Sequence, residues 1–174
     1  MKRALFLDRD GIINKRIIGG YVRSPLEFEL LSDVLPILVS ARQKGYLLIL
    51  ITNQQGVGKG LMTTSDLDAV HEAMQSLLDR HGARLDAIYA CTDLAASNSP
   101  RRKPAPGMLL EAIAEHNLDA EQCWFLGDSI TDAQAGKAAG VRTALVGEFS
   151  TNDADISTPN LAQMQRTLST VLRY

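Results

Sequence analysis

The chain has 174 residues, 45% hydrophobic and 5% aromatic, with a formal net charge of −2. This length predicts one domain, residues 1–174, with a sizeable core. The mild negative charge excludes a general electrostatic attraction to nucleic acid or to a membrane surface.

Met1-Lys2-Arg3 leads into an apolar run that a carboxylate cuts at Asp8. The run is too short for a secretory leader or a spanning helix, so the cytoplasm is the expected location. Cys91 and Cys123 are too few for a disulfide framework and read as buried thiols. Ala4 to Leu7 is too short for a helix and reads as a buried parallel strand, with Asp8 at its carboxyl end. Asp8-Arg9-Asp10-Gly11 then admits two readings. It is either an Asp-Gly turn after a strand, or a pair of carboxylates converging on a small volume that suits Mg²⁺ or a nucleophile beside a proton donor.

Asn14 to Ser32 reads as a loop with a basic patch of Lys15, Arg16 and Arg23. A helix follows from Ser32 or Asp33 to Gly45, and Tyr46 to Ile51 is a second buried strand ending on Thr52-Asn53. Gln54 to Gly60 is a glycine-rich turn. It is not a P-loop, because Asn53 and Gly60 stand where that motif needs a glycine and a hydroxyl residue. From Thr63–Ser65 to Gly82, Leu67, Val70, Met74, Leu77 and Leu78 fall on one helical face. Arg80-His81-Gly82 closes this helix and reads as its cap. Leu85 to Cys91 is a third strand, and a polar loop runs to Arg101-Arg102-Lys103-Pro104. Pro106 opens a helix to His116, and Cys123 to Leu126 is a fourth strand. An alanine-rich helix to Gly140 follows Gly127-Asp128-Ser129-Ile130-Thr131-Asp132. Val141 to Val146 is a fifth strand, Glu148 to Pro159 a polar linker, and Leu161, Met164, Leu168 and Leu172 mark a last amphipathic helix. The alternation predicts an α/β fold, a doubly wound parallel sheet of Rossmann type.

Polar residues recur where the chain leaves a strand or enters the next helix: Asp8 and Asp10, Thr52 and Asn53, Lys103, then Asp128 and Asp132. A doubly wound sheet brings these ends to one rim. An acid pair, a hydroxyl, an ammonium and a further acid around one cleft are the parts that phosphoryl transfer requires.

The ordered set D-x-D-G, Thr-Asn after a hydrophobic strand, Lys-Pro, and Gly-Asp-x-x-x-Asp resembles the haloacid dehalogenase (HAD) superfamily of aspartate-nucleophile phosphatases, from about Phe6 to Val146. The resemblance implies strand order 5-4-1-2-3, Asp8 as nucleophile and Asp10 as general acid and base. It implies Mg²⁺ held by the Asp8 and Asp128 carboxylates and the Asp10 backbone carbonyl. Thr52 and Asn53 would bind phosphate oxygens, Lys103 would neutralise Asp8 and the phosphoryl group, and Asp132 would support the loop. Neither usual insertion point has room for a cap domain, so selectivity would rest on the loops at 14–25, 54–62 and 92–103.

Gly20-Tyr21-Val22, Glu27-Phe28, Thr52-Asn53-Gln54-Gln55-Gly56 and Arg102-Lys103-Pro104-Ala105-Pro106-Gly107 narrow the resemblance to the capless branch of heptose-bisphosphate and histidinol-phosphate phosphatases. It implies a small phosphorylated sugar as substrate, first of all the C7 phosphate of a heptose 1,7-bisphosphate, with histidinol phosphate as the alternative. Arg102 would help hold that substrate, and Arg101 would add charge beside the cleft. A non-catalytic binding module of the same fold is the alternative of another class. That branch usually carries a Cys-x-His and Cys-x-Cys zinc site, and the matching positions here are Cys91, Asp93, Ser99 and Arg101, so structural zinc is expected to be absent. A monomer without nucleic-acid or membrane partners is expected.

Overall fold

The computed structural model describes residues 1–174. Six parallel strands form one sheet: β1 (Arg3–Leu7), β2 (Tyr46–Asn53), β3 (Ala87–Cys91), β4 (Trp124–Gly127), β5 (Arg142–Val146) and β6 (Ile156–Thr158). Their order is β3-β2-β1-β4-β5-β6, which contains the expected 5-4-1-2-3 and adds a strand at the edge. β6 corrects the reading of 148–159 as linker only. Its three residues are all half-buried and show no alternation, so nothing in their hydrophobic pattern separates them from a loop.

β1 explains why a continuous apolar run is needed at the centre. Leu5 and Leu7 face one core, and Ala4 and Phe6 face the other. The first core also holds residues of α1 (Leu35–Gln43), α3 (Thr64–Asp79) and α6 (Leu161–Val171), such as Leu38, Met74 and Leu168. The second holds residues of α4 (Gly107–His116) and α5 (Ile130–Ala139), such as Leu109 and Ala135. A strand covered on both sides has no polar face, so it loses period-two alternation.

The glycine-rich turn after β2 contains a single helical turn, α2 (Gln55–Gly58). The loop from Asn14 to Leu31 carries one 3₁₀ turn (Pro25–Glu27) and is closed at its base by Lys15 N–H to Glu29 O and Leu31 N–H to Ile13 O, each 2.8 Å. Between Asp10 and Thr52 lie only this loop, a second 3₁₀ turn, α1 and β2, and between Thr52 and Lys103 only α2, α3, β3, a 3₁₀ turn (Ala95–Ser97) and short loops. Neither insertion point carries a cap, and the carboxyl rim of the sheet is open.

Candidate active site

At that rim lies a chamber of about 120 Å³ lined by polar side chains, among them Asp8, Asp10, Asn53, Lys103 and Asp132, while Thr52, Asp128, Arg101 and Arg102 lie outside its lining. Lys103 organises it. Its buried ammonium lies 2.9 Å from Asp8 Oδ1 and donates to Asp132 Oδ1 at 2.7 Å and to the Ile51 carbonyl at 2.9 Å. Burial opposes the charge on Lys103, but Asp132 and Asp8 more than offset this and hold its pKa above the ordinary lysine value. The irregular loop reaches the rim because Asn53 clamps it. Asn53 Oδ1 accepts the Lys103 N–H and its Nδ2 donates to the Lys103 carbonyl, both at 3.1 Å.

Asp8 is only 7% exposed. Burial, reinforced by the nearby Asp132, raises its pKa well above the usual carboxylate range, while Lys103 pulls the other way. Asp128 is pushed up to about 6, chiefly by burial. Asp132 stabilises the turn instead. It forms a capping box with Ser129 at the start of α5, and its Oδ2 accepts the N–H groups of Asp128 (3.1 Å) and Ser129 (3.2 Å).

Carboxylate oxygens of Asp8, Asp128 and Asp132 lie within 4.8 Å of one another. Asp132 is saturated by Lys103 and two backbone donors, whereas the Asp8 and Asp128 donors fall on their Oδ1 atoms, leaving both Oδ2 atoms without a protein donor. An all-oxygen, like-charged pair with free lone pairs fits a hard divalent cation. Gly11 opens this space. At φ +90°, its missing Cβ would stand 2.0 Å from Asp128 Oδ2.

Asp10 faces a different environment, and its carboxylate is not part of that triad. It accepts from Gln54 Nε2 at 2.9 Å, Asn14 Nδ2 at 3.0 Å and the Arg9 guanidinium at 3.2 Å. Burial raises its pKa, but Arg9 and these amides outweigh that, so it lies below the ordinary value. Thr52 is buried at the end of β2, where its hydroxyl accepts from Gln54 Nε2 at 2.9 Å.

Arg101 and Arg102 part company. Arg101 forks onto Glu111 at 2.8 and 3.1 Å and bonds the Ala90 carbonyl, so its charge is spent on α4 and β3 and does not line the chamber. Arg102 bonds the Asp93 carbonyl at 3.3 Å, and its charge reaches the phenol of Tyr21. The positions Cys91, Asp93, Ser99 and Arg101 do converge. Cys91 Sγ lies 3.5 Å from Asp93 Oδ2 and 3.9 Å from Ser99 Oγ, which accepts the Arg101 N–H at 3.3 Å. Sequence reasoning assigned no site role to Arg9, Gln54 or His71. The one available signal was a histidine on the apolar face of α3.

A sheet of this topology, with a carboxylate pair after β1, a hydroxyl after β2, a buried lysine and a second acidic turn after β4, defines the class of HAD-like phosphatases. The comparisons agree. Residues 100–171 match a family model described as HAD-hydrolase-like. The chain is 41% identical over 145 residues to D-glycero-beta-D-manno-heptose-1,7-bisphosphate 7-phosphatase of Helicobacter pylori (strain ATCC 700392 / 26695), covering 83% of each chain. It is 37% identical over 151 residues to D-glycero-alpha-D-manno-heptose-1,7-bisphosphate 7-phosphatase of Burkholderia mallei (strain ATCC 23344), covering 83% of this chain and 79% of that one. Among solved structures, the D,D-heptose 1,7-bisphosphate phosphatase from B. bronchiseptica, complexed with magnesium and phosphate, superposes with a TM-score of 0.86 at 30% identity, covering 98% of this chain and 99% of that one. The chain belongs to the heptose-bisphosphate phosphatase family of HAD-like hydrolases.

Proposed function

We propose that this enzyme removes the C7 phosphate of D-glycero-D-manno-heptose 1,7-bisphosphate through an aspartyl phosphate on Asp8. The observation that carries the reading is the separation of two neighbouring carboxylates into two environments. Asp8 is paired with a fixed ammonium at 2.9 Å, and Asp10 is caged by neutral amides and Arg9. Environments that pull two acids apart assign them different work.

In this reading a carboxylate oxygen of Asp8 attacks phosphorus, the sugar oxygen leaves, and Asp10 gives it a proton. Water then attacks the phosphorus, Asp10 takes a proton from it, and the Asp8–phosphate bond breaks to release inorganic phosphate. The free site holds Asp10 ionised, and an arriving phosphate dianion raises its proton affinity by like-charge repulsion. Thr52, the Asn53 backbone and Lys103 bind the phosphoryl oxygens, with Arg102 on the remainder of the substrate. Asp8, Asp128 and the Asp10 carbonyl would hold Mg²⁺, which would supply charge neutralisation at the phosphoryl oxygens. We take the enzyme to be a monomer of the cytoplasm, with no nucleic-acid or membrane partner, the last of which its formal charge of −2 supports.

The test is phosphate release with Mg²⁺ on both anomers of the heptose bisphosphate, fructose 1,6-bisphosphate, histidinol phosphate and a 3′-phosphorylated oligonucleotide. A strong preference for a heptose bisphosphate is expected, and comparable weak rates on all five would overturn the substrate. Asp8→Asn should lower turnover by at least about 10³-fold with an unchanged circular dichroism spectrum, as loss of a nucleophile does elsewhere. Appreciable residual turnover would remove Asp8 from its role.

A further inference from the structure

Arg9 stands between the two aspartates and is 0% exposed, the largest fully buried side chain of the protein. A buried guanidinium is costly unless each charge-bearing edge is paired, and an apolar residue of similar volume is usually no worse for stability. Here one nitrogen, Nε, has no partner at all. The others reach α3, the turn after β2 and the neighbouring Asp10. Nη1 lies 3.1 Å from His71 Nε2 on α3, and Nη2 reaches Asp10 Oδ1 at 3.2 Å and Gln54 Oε1 at 3.2 Å.

Arginine can only donate, so His71 Nε2 is the acceptor and the imidazole is neutral with its proton on Nδ1. The same logic orients Gln54. With its carbonyl oxygen taken by Arg9, its amide nitrogen faces Asp10 Oδ2 and Thr52 Oγ1, both at 2.9 Å. His71 aims Arg9, and Arg9 and Gln54 together fix both oxygens of Asp10.

We propose that Arg9, oriented by His71 and Gln54, is the positioning device that aims the Asp10 carboxylate at the leaving-group oxygen. The inference rests on the acid–base reading of Asp10. His71 and Arg9 touch no substrate in it. They act through the angle of one carboxylate.

Leaving groups separate this from a purely structural role. An alkyl phosphate needs a proton on the departing oxygen, whereas p-nitrophenyl phosphate releases a stable anion without one. The ratio kcat/KM reports events up to that cleavage. Asp10→Asn should lose about 100-fold or more on the sugar phosphate, the usual worth of a general acid, and far less on p-nitrophenyl phosphate. Arg9→Lys and His71→Leu should show the same split, about tenfold or more against less than about threefold, because a small misplacement of a reacting group is costly. His71→Gln, which keeps an acceptor, should recover most of the loss. Should His71→Leu fail to fold, Gln54→Leu cuts the same network from another element. Equal losses on both substrates across these variants, with Asp10→Asn still split, would overturn the positioning role alone. No split in Asp10→Asn would overturn the acid–base reading and the inference with it.

Discussion

His71 is a neutral imidazole beside a buried cation, which links stability to pH. Burial is the first cause, and Arg9 adds repulsion, so its pKa is pushed down to about 4 from the ordinary 6.5. Between these values the unfolded chain binds a proton that the folded chain refuses. Stability from this residue is therefore complete above about pH 6.5 and is lost as pH falls towards 4, by at most about 3 kcal/mol. Urea unfolding at pH 7, 5.5 and 4.5 should show a steeper acid loss for the natural chain than for His71→Leu, and parallel losses would contradict a neutral buried histidine. This residue was poorly legible in the sequence, because its neighbours Leu67, Val70 and Met74 mark that face as core. Asp8, Thr52 and Asp128 were legible for the opposite reason, as polar groups that end apolar strands. Arg101 and Arg102 look alike on paper. Only the irregular loop decides that Arg101 turns to Glu111, and such a loop has no periodicity from which to read it.

At the scale of elements, the β4–α5 junction shows how backbone and catalytic geometry become one constraint. A Cβ on Gly127 would stand 2.2 Å from Asp132 Oδ2 and 2.5 Å from Asp132 Cβ. Asp132 would have to move, taking with it the Lys103 contact and the N–H groups of Asp128 and Ser129. Gly127→Ala should cost about 1–3 kcal/mol of stability, as overpacking does. It should lower kcat by about 100-fold, because the ammonium beside Asp8 loses its anchor. Gly82→Ala provides the contrast. That residue lies in the turn after α3 at φ +68° with open space around it, so the change should cost about 1–2 kcal/mol and leave kcat within about twofold. Equal effects of the two on kcat would break the link to Asp132. The strand–helix alternation that sets these junctions was readable from sequence, since each apolar run ends at a polar turn. β6 and α2 were not, being three and four residues long with no room for a period.

For the whole molecule, the open rim leaves the surrounding loops free to face a substrate. The chamber of about 120 Å³ beside Asp8 adjoins a second cavity of about 470 Å³, and Asp10, Arg16 and Asn53 line both. Lys59 lies over the Tyr21 ring at 5.5 Å with no carboxylate partner, and the Tyr21 phenol is held below its ordinary pKa by Lys59, Gln55 and Arg102. Three loops thus bring positive charge to one side of a chain whose formal charge is −2. A sugar with one phosphate in the chamber would present its second phosphate to this side. A charge-assisted contact is worth about 1.5–3 kcal/mol, so Arg102→Ala should lower kcat/KM for the bisphosphate by about 10- to 100-fold. For a small monophosphate the loss should stay within about threefold. The gap should narrow with added salt, because exposed charges are screened beyond about 10 Å at 0.1 M ionic strength. Steady-state kinetics at low and high salt on both substrates measures this. Equal losses on the two would leave Arg102 as an anchor for the loop through the Asp93 carbonyl, and would move recognition of the second phosphate to Lys59 and Arg16.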